Sequence, residues 1–158
     1  MKMMKLFISL LFVSLVIFSC GDSKGKKSVQ KLLSNYEKLV QYCTDKNQTL
    51  DHYTTIIVIN EIGTCINCNN IFSKSQGKNL DSDSILFIVS GIGTKVDLSA
   101  YVDRKAPNLI YDDSAGFDTL NIVKSCAIIT ISGKKINSIE EINVKNVYEV
   151  SNRGQGVN

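Results

Sequence analysis

The sequence predicts an α/β fold: a central mixed β-sheet with helices on both faces, in a single domain. Three observations carry this. Residues 54–59, 84–89 and 126–131 are continuous apolar runs rich in β-branched side chains, the pattern of strands covered on both faces. Residues 28–45 carry an apolar stripe at helical spacing. Ser132-Gly133-Lys134 follows the last run and turns it into a hairpin.

The elements follow in order. Residues 1–19 read as an export signal, with Lys2 and Lys5 before an apolar core that is too short to span a bilayer comfortably. Cys20 closes the segment after a small residue. This resembles a bacterial lipobox, in which Cys20 becomes the lipidated first residue, and acylation there would hold the chain at a membrane surface. Residues 20–27 are glycine, serine and lysine with one aspartate, and read as a flexible tether. The folded domain is then 28–150, long enough for a proper hydrophobic core. Residues 151–158 read as a frayed tail.

Within the domain, Val29, Leu32, Leu33, Tyr36, Leu39, Val40 and Cys43 form the stripe of the first helix, with Asn35, Lys38 and Gln41 off it. Cys43 is expected to be a small core residue. The first strand ends at the turn 60–64. Residues 66–75 are a modest helical segment with Ile66, Ile71 and Phe72. After the second strand, residues 97–103 are expected to form a short helix with Asp97 as N-cap and Leu98, Tyr101 and Val102 inward. Pro107 precedes a short strand at 108–111, residues 112–116 turn, and 117–122 is a helical turn or loop. Residues 135–139 return as the second arm of the hairpin. Residues 140–150 are the weakest element and are expected to end the domain as a helix.

Charge excludes little and favours little. The chain has 18 basic and 15 acidic residues. Removing 1–19 takes away Lys2 and Lys5 and leaves a net charge of about +1, which gives no electrostatic footprint for nucleic acid. Gly91-Ile92-Gly93 is no phosphate-cradling loop, and Asp81-Ser82-Asp83 and Asp112-Asp113 lack calcium-loop spacing and read as turn and cap residues. Glu140-Glu141 reads as a solvated face. His52 is the only histidine and falls in a polar loop, so it reads as a surface residue. No zinc site or other cofactor is implied.

The chemistry-bearing motif is Cys65-Ile66-Asn67-Cys68, placed where the first strand gives way to a helix. A thiol at a helix N-terminus meets unpaired backbone N–H groups and the positive end of the dipole, which stabilise its thiolate. The order of elements around this motif resembles the thioredoxin-like superfamily over roughly residues 29–139. With Ile110-Tyr111-Asp112-Asp113 and the hairpin, it also looks like the divergent thioredoxin-like lipoproteins of the Bacteroidetes.

The resemblance implies a thiol–disulfide oxidoreductase in which Cys65 is the attacking nucleophile and Cys68 the resolving thiol. Its partners would be thiols and disulfides of exported proteins and a separate redox partner. It would sit in the cell envelope, lipid-anchored and periplasm-facing, and Gly21 after Cys20 tilts this toward the outer membrane. The sequence departs from the family at Ser125-Cys126, which stands where active members carry a cis-proline; a cis bond without proline costs about 3 kcal/mol, so this peptide is expected to be trans. Cys126 is open to three readings: a core residue, a third redox thiol beside Cys65, or a soft-metal ligand. The alternative to an enzyme is a non-catalytic lipoprotein, a binding or assembly module of the same fold with Cys65–Cys68 as a structural disulfide.

Overall fold

A computed structural model describes residues 23–61, 65–91, 96–102 and 104–153, with side chains from Ser34 onward. The expected signal segment, Cys20 and the tail beyond Arg153 lie outside the described residues. The chain divides into two compact units, 1–31 and 32–158.

Helix α1 spans Ser23–Asp45. It therefore takes in most of the stretch expected to be a tether. Within 23–27 lysine is a good helix former and Gly25 the one strong breaker, so composition alone misjudged the helix start. Strand β1 is Thr55–Asn60, helix α2 is Ile66–Gln76 and strand β2 is Ile85–Ser90. Strand β3 is Leu109–Asp112, β4 is Ala127–Ser132, β5 is Lys135–Glu141, and helix α3 is Val147–Arg153. Among the described residues no helix is long and apolar enough to cross a membrane.

The five strands form one mixed sheet in the order β3-β2-β1-β4-β5. β1 pairs parallel with β2, and β2 parallel with β3. β1 pairs antiparallel with β4, and β4 antiparallel with β5. Side chains alternate across this sheet and split the core in two. Ile56, Val58, Leu86, Ile88, Ala127 and Ile129 pack with Leu39, Tyr42 and Cys43 of α1. Ile57, Ile59, Phe87 and Val89 pack with Cys68 and Phe72 of α2 and Val147 and Val150 of α3 on the other face. β1 and β2 are covered on both sides, which is why their sequences read as unbroken apolar runs.

The hairpin forms as expected. Ser132 pairs with Lys135 across Gly133 and Lys134, whose φ values of 56° and 59° make a two-residue turn of the kind that matches strand twist.

Three local expectations are corrected. Residues 97–102 make turns rather than a helix. The Asp97 carboxylate does accept the backbone N–H of Ser99 at 3.1 Å, as an N-cap would, but the turn it opens is not continued, and Val102 is 47 % exposed rather than inward. The final helix starts later than expected, because β5 runs on to Glu141 and the Asn143 and Asn146 side chains cap the turn before α3. On α1, Asn35 is buried and Val40 partly exposed, the reverse of the expected stripe. Cys43 is fully buried, and His52 is an exposed loop residue with its ring against Tyr53.

Candidate functional site

The apolar run of β1 ends in two polar residues, Asn60 and Glu61, and α2 begins at Ile66. Cys65 is the N-cap of α2, with an extended backbone, and its sulfur accepts the backbone N–H of Cys68 at 3.3 Å. The Cys65 carbonyl accepts the N–H of Asn69, which starts the helical ladder. One turn thus brings the two sulfurs together, with Cα atoms 5.2 Å apart, and Cys65 and Cys68 are joined as a disulfide.

The two sulfurs are unequal. Cys68 is 3 % exposed and belongs to the core against α2, whereas Cys65 is partly exposed at its rim. Ile66 and Asn67 between them are exposed. An incoming thiol reaches Cys65 and not Cys68. The helix N-terminus supplies a donor to the reachable sulfur, which favours the thiolate there once the bond is cleaved.

Around the disulfide lies a polar shell anchored on Asn60. Its carbonyl accepts the side-chain amide of Asn69 at 2.9 Å, which ties the first turn of α2 to the end of β1. On the opposite face of the sheet its own side-chain amide donates to Asp118 at 2.6 Å, and Ser90 donates to the other Asp118 oxygen. Burial pushes the Asp118 carboxyl above its ordinary range against those two hydrogen bonds.

Cys126 grips the same peptide. Its sulfur accepts the Asn60 N–H at 3.3 Å, and its thiol donates to the Asn60 carbonyl. Cys126 is a free thiol, fully buried in the same core cluster as Cys68, and burial pushes it up to about 12. The peptide bonds described are all trans, Ser125–Cys126 among them, and the Ser125 hydroxyl donates to Glu141. Among the described residues no three His, Cys, Asp or Glu side chains are arranged to hold a metal ion.

Glu61 follows Asn60 and lies beside Gly91. It is 6 % exposed, burial pushes its carboxyl upward, and one oxygen has no hydrogen-bond partner. Gly91 leaves room for it. At φ +133°, Gly91 holds a conformation that L side chains rarely adopt, and a methyl there would stand 2.8 Å from the Glu61 Cβ. Gly91→Ala should destabilise the protein by about 1–3 kcal/mol, read as a lower urea midpoint with unchanged slope.

Asn60, Glu61 and Asn69 escape a reading centred on cysteine spacing. The available signal was two polar residues closing a β-branched run directly before the motif.

Comparison with known proteins adds no relative: no family model, no curated protein and no solved structure matches the chain.

Proposed function

We propose that the chain is a thiol–disulfide oxidoreductase of thioredoxin-like fold, held at the cell envelope through a lipid on Cys20. The observation that carries this is the asymmetry of the Cys65–Cys68 pair: a reachable sulfur capping a helix N-terminus, bonded to a buried one. The five-stranded mixed sheet with helices on both faces is compatible with that fold.

In the reducing direction, the Cys65 thiolate attacks one sulfur of a substrate disulfide, and the other substrate sulfur leaves as a thiolate. Cys68 then loses its proton and attacks the Cys65 sulfur. The second substrate thiolate leaves, and the Cys65–Cys68 disulfide reforms. Run backwards, the same steps oxidise a substrate dithiol. The substrates are exported proteins, a separate redox partner resets the pair, and the reaction uses no cofactor.

Cys68→Ser tests this. Without the resolving thiol, Cys65 should accumulate as mixed disulfides with envelope proteins, visible as reducible high-mass adducts on non-reducing gels. Cys65→Ser should show none. Absence of adducts with Cys68→Ser would sink the proposal.

The structural-disulfide reading draws on one observation. Ser125–Cys126 stands where active members of the resembled family carry proline, and both residues are engaged in internal hydrogen bonds. A Cys65–Cys68 bond that resists reduction by glutathione in the native protein would favour it.

A further inference from the structure

Asn47-Gln48-Thr49 follows α1, and no other asparagine in the chain has serine or threonine two residues on. Asn-x-Ser/Thr, with any residue but proline at x, is the acceptor pattern for N-linked glycans in exported proteins. The pattern alone arises often by chance. What singles this one out is where the fold puts it.

Helix α1 closes in a left-handed turn. Asn47 has φ 58°, and the Gln48 N–H returns to the Cys43 carbonyl at 2.8 Å. Residues 48–50 then run on as neither helix nor strand. The Gln48 side-chain amide donates to the Pro107 carbonyl at 2.7 Å, which pins the loop by its middle residue. Asn47 and Thr49, on either side of that pin, are exposed, and neither side chain makes a hydrogen bond among the described residues. The amide and the hydroxyl are thus offered to solvent together, from a stretch with no ladder to break.

Turn chemistry explains one of these residues and not the other. A left-handed position at a helix end favours asparagine, second to glycine, so Asn47 suits the fold. Nothing in the fold calls for Thr49. Glycan transfer does. An amide nitrogen is a weak nucleophile because its lone pair is shared with the carbonyl, and a hydroxyl two residues on is the partner by which the acceptor is held.

We propose that Asn47 is the acceptor of an N-linked glycan, donated by a polyprenyl-diphosphate oligosaccharide once the chain has crossed the membrane. The Asn47 Nδ2 atom attacks C1 of the first sugar and gives up a proton. The bond from C1 to the diphosphate oxygen breaks, and the polyprenyl diphosphate leaves with the bonding pair. Any enzyme that holds a diphosphate presents cationic groups, and Asp45, an exposed carboxylate two residues before the acceptor, complements them. The site goes beyond the thiol–disulfide reading and shares with it only export. α1 packs on one face of the sheet and α2, with Cys68, on the other, so a glycan on the turn that ends α1 leaves the Cys65 sulfur clear.

The test is the intact mass and peptide map of the full chain, purified from the envelope of the cells that make it. The wild type should exceed the mass of polypeptide and lipid by a whole number of sugar residues, with the excess on the peptide that contains Asn47. Asn47→Gly should abolish the excess while keeping the fold, because glycine takes the left-handed turn without strain. Thr49→Ala should abolish it with the acceptor amide still in place, and Thr49→Ser should retain it. Sugar that persists in Thr49→Ala, or that maps to another residue, would overturn the proposal. So would an unmodified Asn47 on a chain that has lost residues 1–19 and carries lipid on Cys20, and that outcome leaves the envelope reading standing. An uncleaved chain without lipid or sugar would overturn both.

Discussion

Asp112→Ala should lower the unfolding free energy by about 3–5 kcal/mol, and with it the thermal midpoint by roughly 10–20 °C. Asp112 ends β3, and its side chain is wholly buried. Burial alone would push the carboxyl up. Four donors outweigh it and hold the group well below the usual carboxylate range: Lys46 at 2.9 Å, Ser114 at 2.6 Å, the Phe117 N–H at 2.7 Å and Tyr42 at 2.9 Å. Alanine leaves the Tyr42 hydroxyl and the Phe117 N–H buried without that partner, and lets the end of β3 part from α1. Asp112→Asn keeps the shape and part of the accepting capacity, and should lose less.

The sign with pH follows from the lowered group. Its contribution is fully present above the unfolded carboxylate value, near 3.9, and is lost as pH falls below it toward the folded value. Wild-type stability should therefore drop in acid below about pH 4, and Asp112→Asn should show a flatter acid limb in urea titrations at stepped pH. An unchanged acid limb would mean that other carboxylates govern acid unfolding.

Cys65 should outpace the two core thiols in alkylation of the reduced native protein by more than about 10³-fold at pH 7, because thiolate is the reacting form. Burial pushes Cys43 and Cys126 up to about 12, which leaves only about one in 10⁵ of either as thiolate at that pH. An ordinary exposed thiol, near 8.5, is already a few per cent thiolate. Burial denies reagent as well, since neither core sulfur is exposed. Timed iodoacetamide labelling with peptide mapping should find Cys65 modified first, and Cys43 and Cys126 only with global unfolding. Rapid native labelling of Cys126 would contradict its placement and revive it as a third exchange thiol.

The sheet was legible in the sequence because its central strands are covered on both faces. β1, β2 and β4 announce themselves as β-branched runs, and the structure shifts each by a single residue. The strand–Cys-x-x-Cys–helix placement was legible for the same reason. Residues 97–102 misled because Leu98 and Tyr101 are indeed buried and Asp97 does accept the Ser99 N–H, yet the chain makes only turns there. Asp112 read as a turn residue because its partners, Tyr42 on α1 and Lys46 just after it, lie far away in sequence. The shell of Asn60, Glu61 and Asn69 stayed hidden likewise: a buried amide and a solvated one are written with the same letter. Even Glu140, read as part of a solvated face, is held by Nη1 and Nη2 of Arg153, from a stretch read as a frayed tail.

The sheet order leaves two open edges, and open edges invite pairing between molecules. Each is guarded differently. β3 is only four residues long and ends in the buried Asp112, so it offers a partner chain little length to template on. β5 is longer, but carries Lys135, Glu140 and Glu141 along it, with Arg153 clasping Glu140. A second copy approaching that edge would have to strip water from these charges and displace the clasp. The fold can thus keep a sheet open at both sides and still resist self-association into fibres.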